Sequence, residues 1–117
     1  METDEKKYPN GLIFILGKIA WDVDTQMNYK EKAEELEKKG YHAIFVLSNI
    51  ERCMSKFLRY RYMIYLMMQC NSIYIMEGYN ETTIGRIMFK LALELDYNIN
   101  LMDEQTVKSI HGVLNSH

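Results

Sequence analysis

The sequence has few of the features that mark a specialised chain. Its 117 residues include only two cysteines, Cys53 and Cys70. Two thiols are too few for a disulfide scaffold and lack metal-site spacing, which predicts a reducing compartment. Neither sign of charge dominates, and the net charge is -2 at pH 7. That balance argues against a global basic field for nucleic acid and against an acidic, disordered chain. No apolar run approaches the roughly 20 residues that a membrane span requires. The first eight residues are polar and charged, which predicts no secretory signal and a cytoplasmic setting. His42, His111 and His117 are scattered, with no paired carboxylate at ligand spacing, so neither a metal nor a cofactor is expected. There is no linker, internal repeat or low-complexity segment.

What is present is an ordinary globular composition, 48% hydrophobic and 26% charged, enough for one hydrophobic core. The expected organisation is a flexible tail over residues 1–10 and one α/β domain over residues 11–117. Pro9-Asn10-Gly11 reads as a turn. The apolar run Leu12 to Leu16, bounded by Gly11 and Gly17, has the length of a strand buried on both faces. From Gln26 to Lys39 the period changes: Tyr29, Ala33 and Leu36 form the apolar stripe of a helix that Gly40 ends. A second apolar run, Ala43 to Leu47, completes a β-α-β unit. Glu51 to Gln69 is expected to be helical, Ser72 to Met76 a third strand, and Glu77-Gly78-Tyr79-Asn80 a turn. A helix over Thr82 to Leu95 carries Ile84, Met88, Leu91 and Leu95. Ile99 to Met102 is expected as a fourth strand, and Asp103 as the cap of a last helix.

Strands alternating with helices predict a doubly wound, Rossmann-like parallel sheet of four to five strands with helices on both faces. Right-handed crossovers limit the topology to a few doubly wound arrangements, of which strand order 2-1-3-4 is the one expected. Ligands of such sheets bind beyond the carboxyl ends of the strands, where the order reverses, here between strands 1 and 3. Two loops meet there: Gly17, Lys18, Ile19, Ala20, Trp21 and Asp22 on one side, and Glu77, Gly78, Tyr79, Asn80, Glu81, Thr82 and Thr83 on the other. Gly17 permits close backbone approach. Thr82 and Thr83 open a helix whose N–H groups attract anions, with Arg86 one turn in as countercharge. Trp21 and Tyr79 offer flat surfaces for a base, and Asp22, Asp24, Glu77 and Glu81 acceptors for ribose hydroxyls. Each has a plainer reading: a threonine as N-cap, Arg86 as a solvated charge, Glu81 as a helix-dipole partner, Trp21 as core or subunit contact.

These residues resemble a known family. Phe14 to Ile19, Asn28-Tyr29 with Ala33, Leu36 and Gly40-Tyr41, then Cys70 to Met76, and Glu77 to Gly85 follow the order and spacing of the nucleoside 2-deoxyribosyltransferase-like superfamily, in particular its short bacterial and phage members. The similarity runs over about residues 12–102. It implies a flavodoxin-like fold and a pocket for an N-glycoside. Active members attack the anomeric carbon with a glutamate three residues after a Gly-Ala pair. Aligning that pair with Ile84-Gly85 brings the glutamate to Met88, the aspartate after the cysteine to Asn71 and the loop tryptophan to Tyr79. Methionine has no carboxylate, so the resemblance implies binding without turnover, with Met88 among the pocket residues.

The expected function is therefore non-catalytic binding, by sensing or sequestration, of a nucleotide-derived small molecule, such as an ADP-ribose-type signal held by a phage anti-defence sponge. The competing readings are a deoxyribosyltransferase or nucleotide N-glycosidase using a relocated carboxylate, Glu81 or Asp22, and an assembly module with a vestigial pocket. Arg52, Lys56, Arg59 and Arg61, interleaved with Tyr60 and Tyr62, are read as a solvated helix face with inward tyrosines in preference to a nucleic-acid surface. Nine methionines, with the apolar second and third helices, predict a homo-oligomer.

Overall fold

A computed structural model describes residues 8–46 and 53–97. Strand β1 spans Leu12–Leu16 and is buried from Ile13 onward, as its unbroken apolar run requires. Helix α1 runs over Val23–Lys38, β2 over His42–Ile44 and α2 over Lys56–Met68. Strand β3 covers Ser72–Ile75, with every residue buried. A 3-10 turn at Tyr79–Glu81 then leads into α3, Thr83–Glu94.

The strands form one parallel sheet in the order β2-β1-β3, as expected for the first three strands. Leu12 lies opposite His42 and Phe14 opposite Ile44. On the other side Ile13 pairs with Ser72 and Leu16 with Ile75. Among the described residues the sheet has three strands. The fourth strand and last helix expected over residues 99–117 lie outside them, as does the tail over residues 1–7.

Alternation along the strands sends side chains to two separate packing layers. Ile13, Ile15 and Tyr74 pack with Tyr29 and Leu36 of α1. Phe14, Leu16, Ile73 and Ile75 pack with Met63 and Met67 of α2 and with Ile84, Met88 and Ala92 of α3. Helices therefore cover both faces. Six of the nine largest fully buried side chains belong to β1 and β3. Each contributes about 1.5–3 kcal/mol on burial, so this strand pair is the centre of the fold. Tyr97 ties the end of α3 to that of α2, its hydroxyl donating to the Met67 carbonyl at 2.9 Å.

Several boundaries differ from expectation. Helix α1 begins at Val23, three residues before Gln26, because Asp22 caps it: the carboxylate accepts from Thr25 N at 3.0 Å. Strand β2 starts at His42 and ends at Ile44, while Leu47 lies outside the described residues. Helix α2 is capped by Ser55, whose hydroxyl accepts from Leu58 N. On α3 the buried stripe is Ile84, Gly85, Met88 and Ala92; Leu95 follows the helix and is exposed. A continuing period of 3.6 would place 95 between 84 and 88, but the helix ends at Glu94 and Leu95 is its C-cap, so the stripe stops short of it. No helix among the described residues is long and apolar enough to cross a membrane.

Candidate functional site

The carboxyl end of β1 is held by one buried phenol. Gly17 N donates to the Tyr29 hydroxyl at 2.8 Å, and that hydroxyl donates to the Lys18 carbonyl at 3.1 Å. Helix α1 is thereby fastened to the loop leaving β1. Burial pushes the Tyr29 phenol far above its ordinary range, outweighing the Gly17 hydrogen bond. Gly17 is needed for packing here. A β-carbon on it would lie 2.9 Å from Met76 Cε and 3.3 Å from the Tyr29 hydroxyl. The space expected to admit a ligand is thus filled by the protein's own side chains.

The second loop turns at Gly78, whose φ of 93° is left-handed. A β-carbon there would meet Glu81 Oε2 at 2.7 Å and Lys18 Cβ at 2.8 Å. Gly78 is what lets the two loops close on each other, with Glu81 and Lys18 on either side. Thr82 caps α3, its hydroxyl accepting from Gly85 N at 3.1 Å. Arg86 reaches back along its own helix, donating to the Asn80 carbonyl at 2.8 Å and the Thr83 hydroxyl at 3.1 Å. These bonds brace the 3-10 turn, so Arg86 has a structural task where a phosphate contact was expected.

Between this turn and α1 lies an open cleft of about 450 Å³, within the usual range for small-molecule sites. Met76, Glu77, Gly78 and Glu81 form one wall, and Asn28, Glu31, Lys32 and Glu35 of α1 the other. Four glutamates against one lysine give the lining a formal charge of -3. Lys32 Nζ lies 2.9 Å from Glu35 Oε2 and 4.9 Å from the Tyr74 ring centroid. Burial pulls the Lys32 pKa down, but hydrogen bonds to Glu35 and Tyr74 outweigh it, so the ammonium is held above its ordinary value. The Lys32 hydrogen bond lowers the Glu35 carboxyl, with a smaller contribution from Lys39 at 3.7 Å.

Of the residues expected at a pocket, Glu77, Gly78 and Glu81 line this cleft. Lys18 flanks it through Gly78. Asp22 instead caps α1, with both carboxylate oxygens on the Thr25 hydroxyl at 2.8 and 3.0 Å. The Thr25 backbone and hydroxyl bonds lower its pKa. Trp21 packs against the α1 layer, and the Arg59 guanidinium lies 5.7 Å from its ring. Ile19 packs on the opposite layer. Tyr79 offers no open surface for a base: its ring is buried, 4.9 Å from that of Phe89. Met88 is fully buried in the same layer and is a core residue, not part of the cleft wall.

The residues that sequence reasoning missed are Asn28, Glu31, Lys32, Glu35 and Met76. Positions 28, 31 or 32, and 35 form one helical stripe beside the buried positions 25, 29 and 36. That spacing was a usable signal, but a polar stripe on a helix reads as a solvated face. Asn71, which the resemblance aligns with the aspartate after the cysteine, pairs with the start of β1: its side-chain carbonyl accepts from Leu12 N at 3.2 Å. Among the described residues, no three His, Cys, Asp or Glu side chains are grouped to hold a metal ion. No family model matches the chain, nor does any curated protein or solved structure.

Proposed function

We propose that this chain holds a nucleoside-type small molecule in the cleft beyond the carboxyl ends of β1 and β3, without cleaving it. One observation carries the reading: an open cleft at the strand-order switch point, lined by four glutamates, Asn28 and a single lysine. Ligands of parallel α/β sheets gather at that point. Carboxylates accept hydrogen bonds from sugar hydroxyls and exocyclic amines, and Lys32 supplies one donor. The charge of the lining narrows the ligand class. A phosphate would face several carboxylates in a confined space, so an unphosphorylated nucleoside fits better than an ADP-ribose-type dianion. The doubly wound, flavodoxin-like sheet of four to five strands, the likeness to nucleoside 2-deoxyribosyltransferases and a cytoplasmic setting belong to the same proposal.

A second reading has one observation in its favour. Glu77 and Glu81 both line the cleft, so Glu81 has the access that a relocated glycosyl-transfer carboxylate needs, whereas Asp22 is committed to its cap. The two readings separate in one experiment. Purified protein is titrated calorimetrically with nucleosides, their 5′-monophosphates and ADP-ribose, and each mixture is assayed for free base. The binding reading expects nucleoside heat, weaker binding of the phosphorylated forms and no free base. Free base that disappears in Glu81→Gln establishes the alternative of a deoxyribosyltransferase or N-glycosidase instead. Tighter binding of the phosphates, or no binding at all, overturns the proposed ligand class.

A further inference from the structure

The two outer helices carry matching ridges of opposite charge. On α2, Phe57, Arg61, Tyr65 and Met68 stand at i, i+4, i+8 and i+11, the spacing of one exposed helix face. Phe57 is 72% exposed, Tyr65 58% and Met68 55%. This helix contains three basic residues, Lys56, Arg59 and Arg61, and no acidic one. On α1, across the sheet, Val23, Met27, Glu31 and Glu34 stand at i, i+4, i+8 and i+11. Val23 is 70% exposed and Met27 51%. This helix holds five acidic residues, Asp24, Glu31, Glu34, Glu35 and Glu37, against the basic Lys30, Lys32 and Lys38, a formal charge of -2.

We propose that α2 of one copy docks antiparallel on α1 of a second copy, and that the chain assembles head to tail. The proposal does not rest on the cleft reading, although Glu31 belongs both to this ridge and to the cleft wall. Both ridges extend over eleven residue steps, so reversing one against the other sets Arg61 opposite Glu31, Tyr65 opposite Met27 and Met68 opposite Val23. Lys56 then lies beside Glu34. Apolar groups meet at one end, Arg61 and Lys56 meet carboxylates toward the other, and Phe57 falls opposite Glu34. A second α2 would bring basic residues against basic residues, which disfavours pairing of like faces. Helices α1 and α2 pack on opposite faces of the sheet, so a single two-fold contact does not satisfy both ridges at once. The contact is heterologous, and it leads to rings or open chains of copies, not to a closed dimer.

The test uses the full chain and two variants altered only at exposed positions away from the cleft lining. Light scattering and sedimentation over roughly two decades of concentration should show wild-type mass rising beyond the dimer, and falling again at high salt. The α2-blocked variant carries Tyr65→Glu and Met68→Glu; the α1-blocked variant carries Met27→Lys and Glu34→Lys. Each alone should be monomeric with an unchanged circular dichroism spectrum. Mixed, they should form a one-to-one complex that grows no further, because each retains the ridge that the other has lost. If a double variant does not fold, the single changes Tyr65→Glu and Met27→Lys replace it in the same mixing experiment. A wild type that stays monomeric or stops at the dimer overturns the proposal. So does a mixture that stays monomeric, or a loss of assembly confined to one of the two faces. A monomeric wild type that sediments with anionic vesicles would assign the α2 ridge to a lipid surface.

Discussion

The Tyr79 carbonyl oxygen occupies the space where a β-carbon on Gly85 would stand. The same β-carbon would lie 3.0 Å from the Tyr79 carbonyl carbon and from Thr82 Oγ1. Backbone and helix cap therefore meet over a residue with no side chain, and this contact lays the 3-10 turn flat on the first turn of α3. The obstruction is main chain, so no side-chain rotation relieves it. Gly85→Ala should cost about 3 kcal/mol or more, at the upper end of overpacking effects. Urea denaturation should show a lower midpoint with little change in slope. An alanine variant as stable as wild type would contradict this geometry.

Tyr29→Phe removes one oxygen and leaves two backbone groups short of partners, Gly17 N–H and the Lys18 carbonyl. The loss should be about 1–3 kcal/mol, the cost of leaving a buried polar group unsatisfied. The variant also has a pH signature. The folded-state pKa of Tyr29 lies above that of the unfolded chain, because burial disfavours the phenolate. Its stabilising contribution is therefore complete below the ordinary tyrosine value of about 10 and is lost as pH rises toward the folded value. Wild type should lose stability above that pH more steeply than Tyr29→Phe, as read from melting temperatures across the alkaline range.

The two thiols should differ in reactivity. Cys53 is exposed and Cys70 buried. Burial pushes the Cys70 thiol up to about 12, and it donates to the Leu66 carbonyl at 3.4 Å. A thiol reagent at mild alkaline pH should titrate one group per native chain and the second only on unfolding. Rapid reaction of both in the native protein would show that the α2–β3 junction opens readily.

Met88→Glu restores a carboxylate at the position that the family resemblance assigns to the nucleophile. The side chain here lies at 0% exposure among Tyr79, Ile84 and Ala92, where an added charge has no partner. The expected outcome is a large loss of stability and no release of base from any nucleoside. Met88→Leu, which nearly conserves volume, should cost less than about 1.5 kcal/mol. A folded Met88→Glu variant with glycosidase activity would falsify the core assignment of this residue.

The sequence alone was sufficient wherever local pattern and burial agree. The run Leu12–Leu16 has no polar residue to offer a solvent face, so a strand covered on both sides was its one stable use, and the alternation of periods implied a parallel sheet in the order 2-1-3. Helix caps at Asp22 and Thr82 were legible in residue type, although the ligand reading of the same loops hid the first of them and delayed the start of α1. Tertiary structure decided which way the loop residues face. Tyr79 and Met88 read from the sequence as pocket residues, because sequence spacing does not record the rotation that a short 3-10 turn imposes on the helix after it. The Tyr79 carbonyl packs on Gly85 at that junction, and both side chains lie inward. The far wall of the cleft was passed over for a related reason. Glu31, Lys32 and Glu35 look like any solvated helix face until the Tyr29 hydroxyl, bonded to Gly17 and Lys18 from the sheet's end, brings that face alongside the β3 loop.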